Sequence, residues 1–392
     1  MFVSFLMPYI DRGQWPIFHW VMTAQLAKFG PEEVIFIADD RYYAQPLDWG
    51  KEQLAFGVRY RHPHLPEWQQ TQKISLPPEV FEELDRRSRS MLDAFRTLLT
   101  CDYKPLRDAL RGIFSRIVSR QRPEAVLSWC NVPSLELAAA EFGLPVIHSE
   151  LGPFREPHYQ GTVYFDFDGV NGRTSAARDL VAFKEEVCAS AGFSPLSLPD
   201  LRRLFMNDPD SIESAEAPQF KVGAALQVED DSNMLAFSNG LNNFELIFAA
   251  RKGVNPADVL VRPHPRGYLG YGPHLGVPDD SENSLRFIAR CEKIFCTNSS
   301  VAFEALLLNT PVRLFGDSPA AALSCERTAA MSPRDLLIYL NYLFVGYLAP
   351  VSVLFDADYC RWRLTFPSRL EIYAHHLELF RGARSDWLRI SH

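Results

Sequence analysis

Apolar residues come in short continuous runs along this chain, and stretches of helical spacing separate the runs. Phe2–Met7 and Val34–Ala38 are two such runs, with Trp15–Lys28 between them carrying apolar residues at helical intervals and ending at Gly30. A strand buried on both faces needs no alternation, so the pattern predicts parallel strands joined by a crossover helix. Pro78–Leu99 and Leu106–Arg120 are charged and amphipathic, which predicts helices. Ala125–Trp129 and Pro145–His148 read as strands around an alanine-rich helix, Pro133–Phe142. Residues 41–75, rich in aromatics and prolines, give no period and are expected to be irregular.

The rhythm breaks at 149–172, a polar, glycine-rich stretch directly after a strand, where binding residues tend to sit. Helices are expected at Ala176–Ala189 and Leu198–Phe205, and Asn207–Pro218 has linker composition. A second set then runs strand Phe220–Val228, helix Leu235–Arg251, strand Val259–Arg262 and helix Ser284–Cys291. After it come the apolar run from Lys293, helix Val301–Leu308, the run after Pro311 and a mainly helical tail ending in Ser368–Arg381. Such alternation predicts an α/β fold with doubly wound, Rossmann-like domains. A chain of 392 residues exceeds one typical core. The expected division is one Rossmann-like domain at 1–210, a second at 219–345 and a helical tail at 346–392 packing back across both.

Composition narrows the partners. A net charge of -8 and pI near 5.7 exclude a general nucleic-acid binder, which needs a basic face. Seven cysteines at scattered positions show no metal-ligand spacing and fit a reduced, cytoplasmic compartment. The start, Met1–Tyr9, lacks a basic region and a cleavage site, and reads as a first strand. Leu336–Phe355 carries no charge, but Asn341, Gly346 and Pro350 interrupt it, so a buried helix followed by a turn is expected.

Candidate chemistry gathers at the carboxyl ends of the second set of strands, where open α/β sheets bind ligands. Arg262-Pro263-His264-Pro265 ends one strand, and its prolines stiffen the turn that carries the imidazole. Thr297-Asn298-Ser299-Ser300 ends the next strand and opens a helix, with Glu304 one turn deeper on the face of Ser300. A plain helix cap would account for the serines, and a capping histidine for His264. Together they read as a phosphate cradle. Gln227 through Ser232 closes the first strand of this set with three acids, Glu229, Asp230 and Asp231. If the strand stays extended, Glu229 and Asp231 share a face and Asp230 points away; a turn at Asp230 would cancel that parity. Asp166-Phe167-Asp168 matches a metal-binding pattern formally, although so short a motif is more often structural. No metal and no cofactor is expected.

On these residues the chain resembles bacterial β-Kdo transferases of the family 99 kind, retaining enzymes that use CMP-Kdo and are related to capsule enzymes. The resemblance rests on Gln227-x-x-x-Asp231-Ser232, on His264-Pro265, and on Ser299-Ser300-x-x-x-Glu304 followed by Pro311-Val312. Glu150 with Gly152, Phe154 and Arg155 adds to it. It implies a GT-B arrangement, two Rossmann-like domains facing across a cleft, and transfer of Kdo to a hydroxyl of a bacterial surface polysaccharide. Catalytic roles fall to Asp231, as nucleophile, with Glu150 and His264. Donor binding falls to Gln227, Arg262, His264, Pro265, Asn298, Ser299, Ser300 and Glu304, and acceptor or sugar binding to Arg155, Glu156 and His158. Arg262, Arg155 and Arg266 are alternative forks for the Kdo carboxylate. The partners implied are CMP-Kdo and a polysaccharide or glycolipid acceptor, with a peripheral membrane or assembly partner at the inner face of the cytoplasmic membrane. Gly316-Asp317-Ser318-Pro319 stands where capsule members carry Gly-Trp-Gly, which favours the O-antigen branch. Competing readings are a CMP-sialic-acid transferase, a sugar-nucleotide epimerase or hydrolase, and a non-catalytic carbohydrate-binding component.

Overall fold

The computed structural model describes residues 1–7, 18–190, 192–209, 217–267 and 270–390, with side chains to 384. The start of the expected helix Trp15–Lys28 and most of the expected linker Asn207–Pro218 lie outside them. The chain divides into two compact units, each assembled from separate segments. Residues 1–150, 164–170 and 351–367 make the first; 151–163, 171–350 and 368–392 make the second.

In the first unit Phe2–Phe5 forms β1, wholly buried because phenylalanine and valine face both layers. It pairs in parallel with β2 (Val34–Ala38), with Phe2 opposite Val34. The segment expected to be irregular holds a hairpin, β3 (Glu52–Ala55) with β4 (Val58–Arg61), and a sheet strand, β5 (Gln72–Ser75). Strand β5 pairs in parallel with β2, and its half-exposed residues explain why no apolar run announced it. Strands β6 (Val126–Ser128), β7 (Val146–Leu151) and β8 (Thr162–Asp166) continue the sheet in the order β8-β7-β6-β1-β2-β5. The polar stretch after His148 is thus partly strand. Pro78–Leu99 is two helices, Pro78–Arg87 and Met91–Thr100, because Ser88 is extended and Ser90 caps the second through Asp93 N–H.

The second unit is built on five parallel strands: β9 (Val222–Ala225), β10 (Val259–Arg262), β11 (Val277–Pro278), β12 (Ile294–Cys296) and β13 (Val312–Leu314). Their order is β11-β10-β9-β12-β13, so the first in sequence is central. Gly223 in β9 is needed there: a Cβ would lie 2.7 Å from Cys291 Sγ and 2.8 Å from both Ile294 and Phe287. Crossovers between parallel strands make the fold an α/β one with a doubly wound sheet in each unit. The helices Ala176–Ala189 and Leu198–Phe205 also belong to this unit. Its two-residue strand β14 (Ala349–Pro350) pairs antiparallel with Val163 and Thr162.

The uncharged stretch from Leu336 is core. Helix Pro333–Asn341 continues into a π-helical turn, Tyr342–Tyr347, most of whose side chains are buried. Against them packs the long helix Arg369–Ile390, where Tyr373 Oη donates to Asn341 Oδ1 at 2.8 Å and His376 Nδ1 meets Val345 O at 2.8 Å. Among the described residues no helix is long and apolar enough to cross a membrane.

Candidate functional site

Strand β9 stops at Ala225, and the chain turns at Glu229 and Asp230 before a short helix, Ser232–Phe237. The parity expected of an extended strand therefore does not order the three acids. Packing does so instead. Asp231 caps the short helix, accepting the Asn233 N–H at 2.8 Å. Glu229 accepts from Tyr271 Oη at 3.1 Å and from Asn243 Nδ2 at 3.4 Å. Asp231 lies within electrostatic reach of His264 on the loop after β10.

Burial drives the Asp231 carboxyl above its ordinary range, and the Asp230 charge adds to the shift. The Asn233 N–H, His264 and Arg155 oppose it. His264 moves the other way: burial holds its pKa below the ordinary histidine value, although Asp231 pulls it up. The Arg266 N–H donates to His264 Nδ1 at 3.1 Å, which puts the proton of the neutral ring on Nε2. A carboxylate and a neutral N–H donor are thereby coupled across two loops of one sheet. Burial that disfavours charge on both is the combination expected at reactive sites.

Glu304 is buried one turn into helix Val301–Leu307. Its Oε2 accepts from Tyr159 Oη at 3.0 Å and Ser284 Oγ at 2.6 Å. Burial raises its pKa, while the two hydroxyls and the charges of Arg262 and Arg155 lower it. Part of its accepting capacity, offered by the sequence reading to a ligand, is thus already used by the protein.

Gln227 and Asn298 satisfy one another. Gln227 Nε2 donates to Asn298 Oδ1 at 2.8 Å, and the Asn298 N–H returns a bond to Gln227 Oε1 at 3.1 Å. Asn298 Nδ2 also donates to the carbonyls of Asn233 and Phe237, at 3.2 and 3.1 Å, tying the β12 loop to the helix that Asp231 caps. This pair frames the site. Ser299 Oγ accepts the Val301 N–H at 3.3 Å, whereas Ser300 is exposed and its hydroxyl does not cap the helix. The helix has only seven residues, so the hydroxyls and His264 are the better anion donors. Gly316 closes this end of the sheet: a Cβ there would lie 2.5 Å from Phe237 O.

Of the three arginines, Arg262 is committed. It pairs with Asp279, whose side chain is fully buried, and donates to Ser281 O at 3.2 Å. Arg155 is exposed, with Nε on Gly152 O at 3.1 Å, and Arg266 is exposed. Glu156, His158 and Pro265 are exposed in the second unit, and Glu150 is half-buried in the first. Asp166 is buried and accepts the Asp168 N–H at 2.8 Å. Among the described residues no group of three or more His, Cys, Asp or Glu is placed to hold a metal ion.

Sequence reasoning missed Tyr159, Ser284, Asn243 and Asp279. Tyr159 and Ser284 act on Glu304 from 145 and 20 residues away, and local patterns carry no signal for that. Asn243 was detectable only as one of two asparagines opening a helix.

Residues 4–175 match the model of the Glycosyltransferase 99 family N-terminal domain. Over 178 residues, 36% of this chain, it is 30% identical to the capsule polysaccharide modification protein LipA of Neisseria meningitidis serogroup A / serotype 4A. The chain spans about a quarter of that relative's length. Among solved structures, the Thermosulfurimonas dismutans KpsC β-Kdo 2,7 transferase overlays at TM-score 0.40 and 18% identity, covering 64% of this chain and 89% of that one. The β-Kdo 2,4 transferase of the same organism gives 0.39 and 19%, with 58% and 82% covered. The glycosyltransferase SnogD of Streptomyces nogalater gives 0.30 and 15%, with 92% and 98% covered. Over residues 4–175 the chain is thus similar to the N-terminal domain of the Glycosyltransferase 99 family.

Proposed function

We propose that this chain is a retaining glycosyltransferase that moves Kdo from CMP-β-Kdo to a hydroxyl of a bacterial surface polysaccharide or glycolipid, with an O-antigen or capsule role. The family match supplies the reaction class. The observation that carries the reading is the coupled pair in the second unit, a half-buried carboxylate at Asp231 and a neutral imidazole at His264. In the proposed reaction an Asp231 oxygen bonds to the anomeric carbon while the bond from that carbon to the phosphate oxygen breaks. The electron pair leaves with CMP, whose phosphate accepts from His264 Nε2–H and from the Ser300 hydroxyl. An acceptor hydroxyl then displaces Asp231, giving its proton to a general base, and two inversions restore the β configuration. Arg155, exposed and within electrostatic reach of Asp231 and Glu304, is the proposed fork for the Kdo carboxylate. A single phosphate leaving group needs no metal where such donors are in place.

Thermal stabilisation across CMP, UMP, UDP and GDP tests the reading. A ligand at a hundred times its Kd stabilises by about 2.7 kcal/mol, so a real preference is visible. CMP should stabilise most. A clear preference for UDP or GDP would discard CMP-linked donors altogether. Transfer from CMP-Kdo, followed by mass spectrometry of the acceptor, decides the donor sugar.

A further inference from the structure

The covered half of the second sheet ends where helix Asn243–Arg251 ends. That helix packs over Val222, Val259, Val261 and Phe295 in one apolar cluster, while Phe315 and Val254 are only partly buried at its margin. Beside edge strand β13 this leaves a cavity of about 330 Å3. Its lining includes Lys252, Lys293 and Arg313 around Phe295, Phe315 and Val254. Strand register puts Phe295 opposite Arg313, so residues two apart on each strand, Lys293 with Phe295 and Arg313 with Phe315, share this face. Lys252 follows the carboxyl end of the helix, and Lys293 precedes β12. The cavity is therefore distinct from the loops that carry Asp231, His264 and Ser299, which follow the strands.

Its charge is unbalanced. Arg313 pairs with Glu326 at 2.5 Å and lies over the rings of Phe315 and Phe295, at 4.8 and 5.4 Å. Lys293 Nζ lies 5.5 Å from the Phe295 ring, and among the described residues neither lysine has an acidic partner. Three cations thus line the cavity beside an apolar floor, and of them Arg313 is paired with a carboxylate. A bare inorganic anion would engage the cations and leave Phe315 and Val254 unused. A sugar ring bearing a carboxylate fills both needs, its C–H face on the apolar floor and its anion on the lysines. The volume, near the lower end of the roughly 300–1,000 Å3 of small-molecule sites, fits one such unit.

We infer that this cavity is an accessory binding site for a carboxylated sugar unit, separate from the site where transfer is proposed. It does not rest on the identity of the donor. The test is calorimetric titration of the full chain with trigalacturonate at low ionic strength, where exposed cations are least screened. Maltotriose serves as the neutral counterpart and inorganic phosphate as the bare anion. Trigalacturonate should bind, and Lys252→Ala/Lys293→Ala should weaken it at least tenfold, as should Arg313→Gln. The CMP-induced thermal shift of the double variant should equal that of the unaltered protein, which keeps this outcome separable from failure of the transfer reading. Absence of trigalacturonate binding, equal binding by the double variant, equal binding of maltotriose, or binding of phosphate alone would each overturn the assignment.

Discussion

The carboxylates Glu124 and Asp166 of the first unit are held differently from Asp231 and Glu304 of the second. The first two are matched within the protein. Arg361 holds Glu124 at 2.9 Å, which keeps that carboxyl below its ordinary range, and the same guanidinium pairs with Glu33. Asp166 spends its carboxylate on a turn, and His19, buried, is held neutral with its pKa pushed down to about 4 by desolvation and by His62. In the second unit Asp231 and Glu304 are pushed up and His264 down, all three mainly by burial. A group matched in its own fold stabilises that fold. A carboxylate kept half-buried against only partial compensation costs stability, and such cost persists where a ligand or a reaction uses it. The contrast supports the proposal that the chemistry lies in the second unit, although the family match falls on residues 4–175.

The largest effect that would break this contrast is expected at Asp231. Asp231→Asn should cut transfer on the order of 10^4-fold, the scale for removing a reacting group that works in concert with others. Asparagine caps a helix as well as aspartate does, so the fold should survive. The sign of its stability change follows from the raised pKa. The charged form is penalised in the fold once the pH exceeds the folded pKa, so the variant should melt no lower than the unaltered protein at pH 7. Asp230→Asn should lose far less activity, and equal losses would end the distinction drawn between neighbours. Mass spectrometry of the enzyme held with CMP-Kdo and no acceptor should find a sugar on the peptide containing Asp231.

His264→Ala comes next, with a loss of roughly 3 kcal/mol in transition-state stabilisation, or about 10^2-fold in kcat. A variant that folds and keeps most of its rate would leave the histidine a structural role. A comparable free energy is expected in the first unit, but as stability. His19 binds a proton near pH 6.5 when unfolded and near 4 when folded, so its contribution is complete above 6.5 and falls as pH drops toward 4. The loss across that window should be roughly 3 kcal/mol, read by unfolding at stepped pH, and His19→Gln should flatten it.

Tyr159→Phe should cost about 2 kcal/mol, the scale of a hydrogen bond to a buried charged group, with Ser284 left as the remaining donor to Glu304. Denaturant unfolding would measure it, and no change in midpoint would mean that the Tyr159 hydroxyl adds nothing to stability. Smallest of all, Asp166→Asn should change transfer less than twofold, and transfer should persist in excess EDTA. Loss of activity restored by a divalent ion would reopen the metal reading of Asp166-Phe167-Asp168.

Strand and helix order was legible along most of the chain because parallel strands buried on both faces are written as unbroken apolar runs, Phe2–Phe5 and Val259–Arg262 among them. Strand β5 escaped because an edge strand with half-exposed residues leaves no such run. The sequence by itself determined which residues end the strands of the second sheet, and so which side chains its loops can carry: Asp231, His264 and the Asn298-Ser299-Ser300 group. Only the tertiary structure decided what each does there. It turned the chain at Glu229 and Asp230, tied Arg262 to Asp279, and brought Tyr159 and Ser284 onto Glu304. Strand ends are fixed by local apolar pattern, whereas the partner and protonation state of a polar side chain depend on groups far away in sequence.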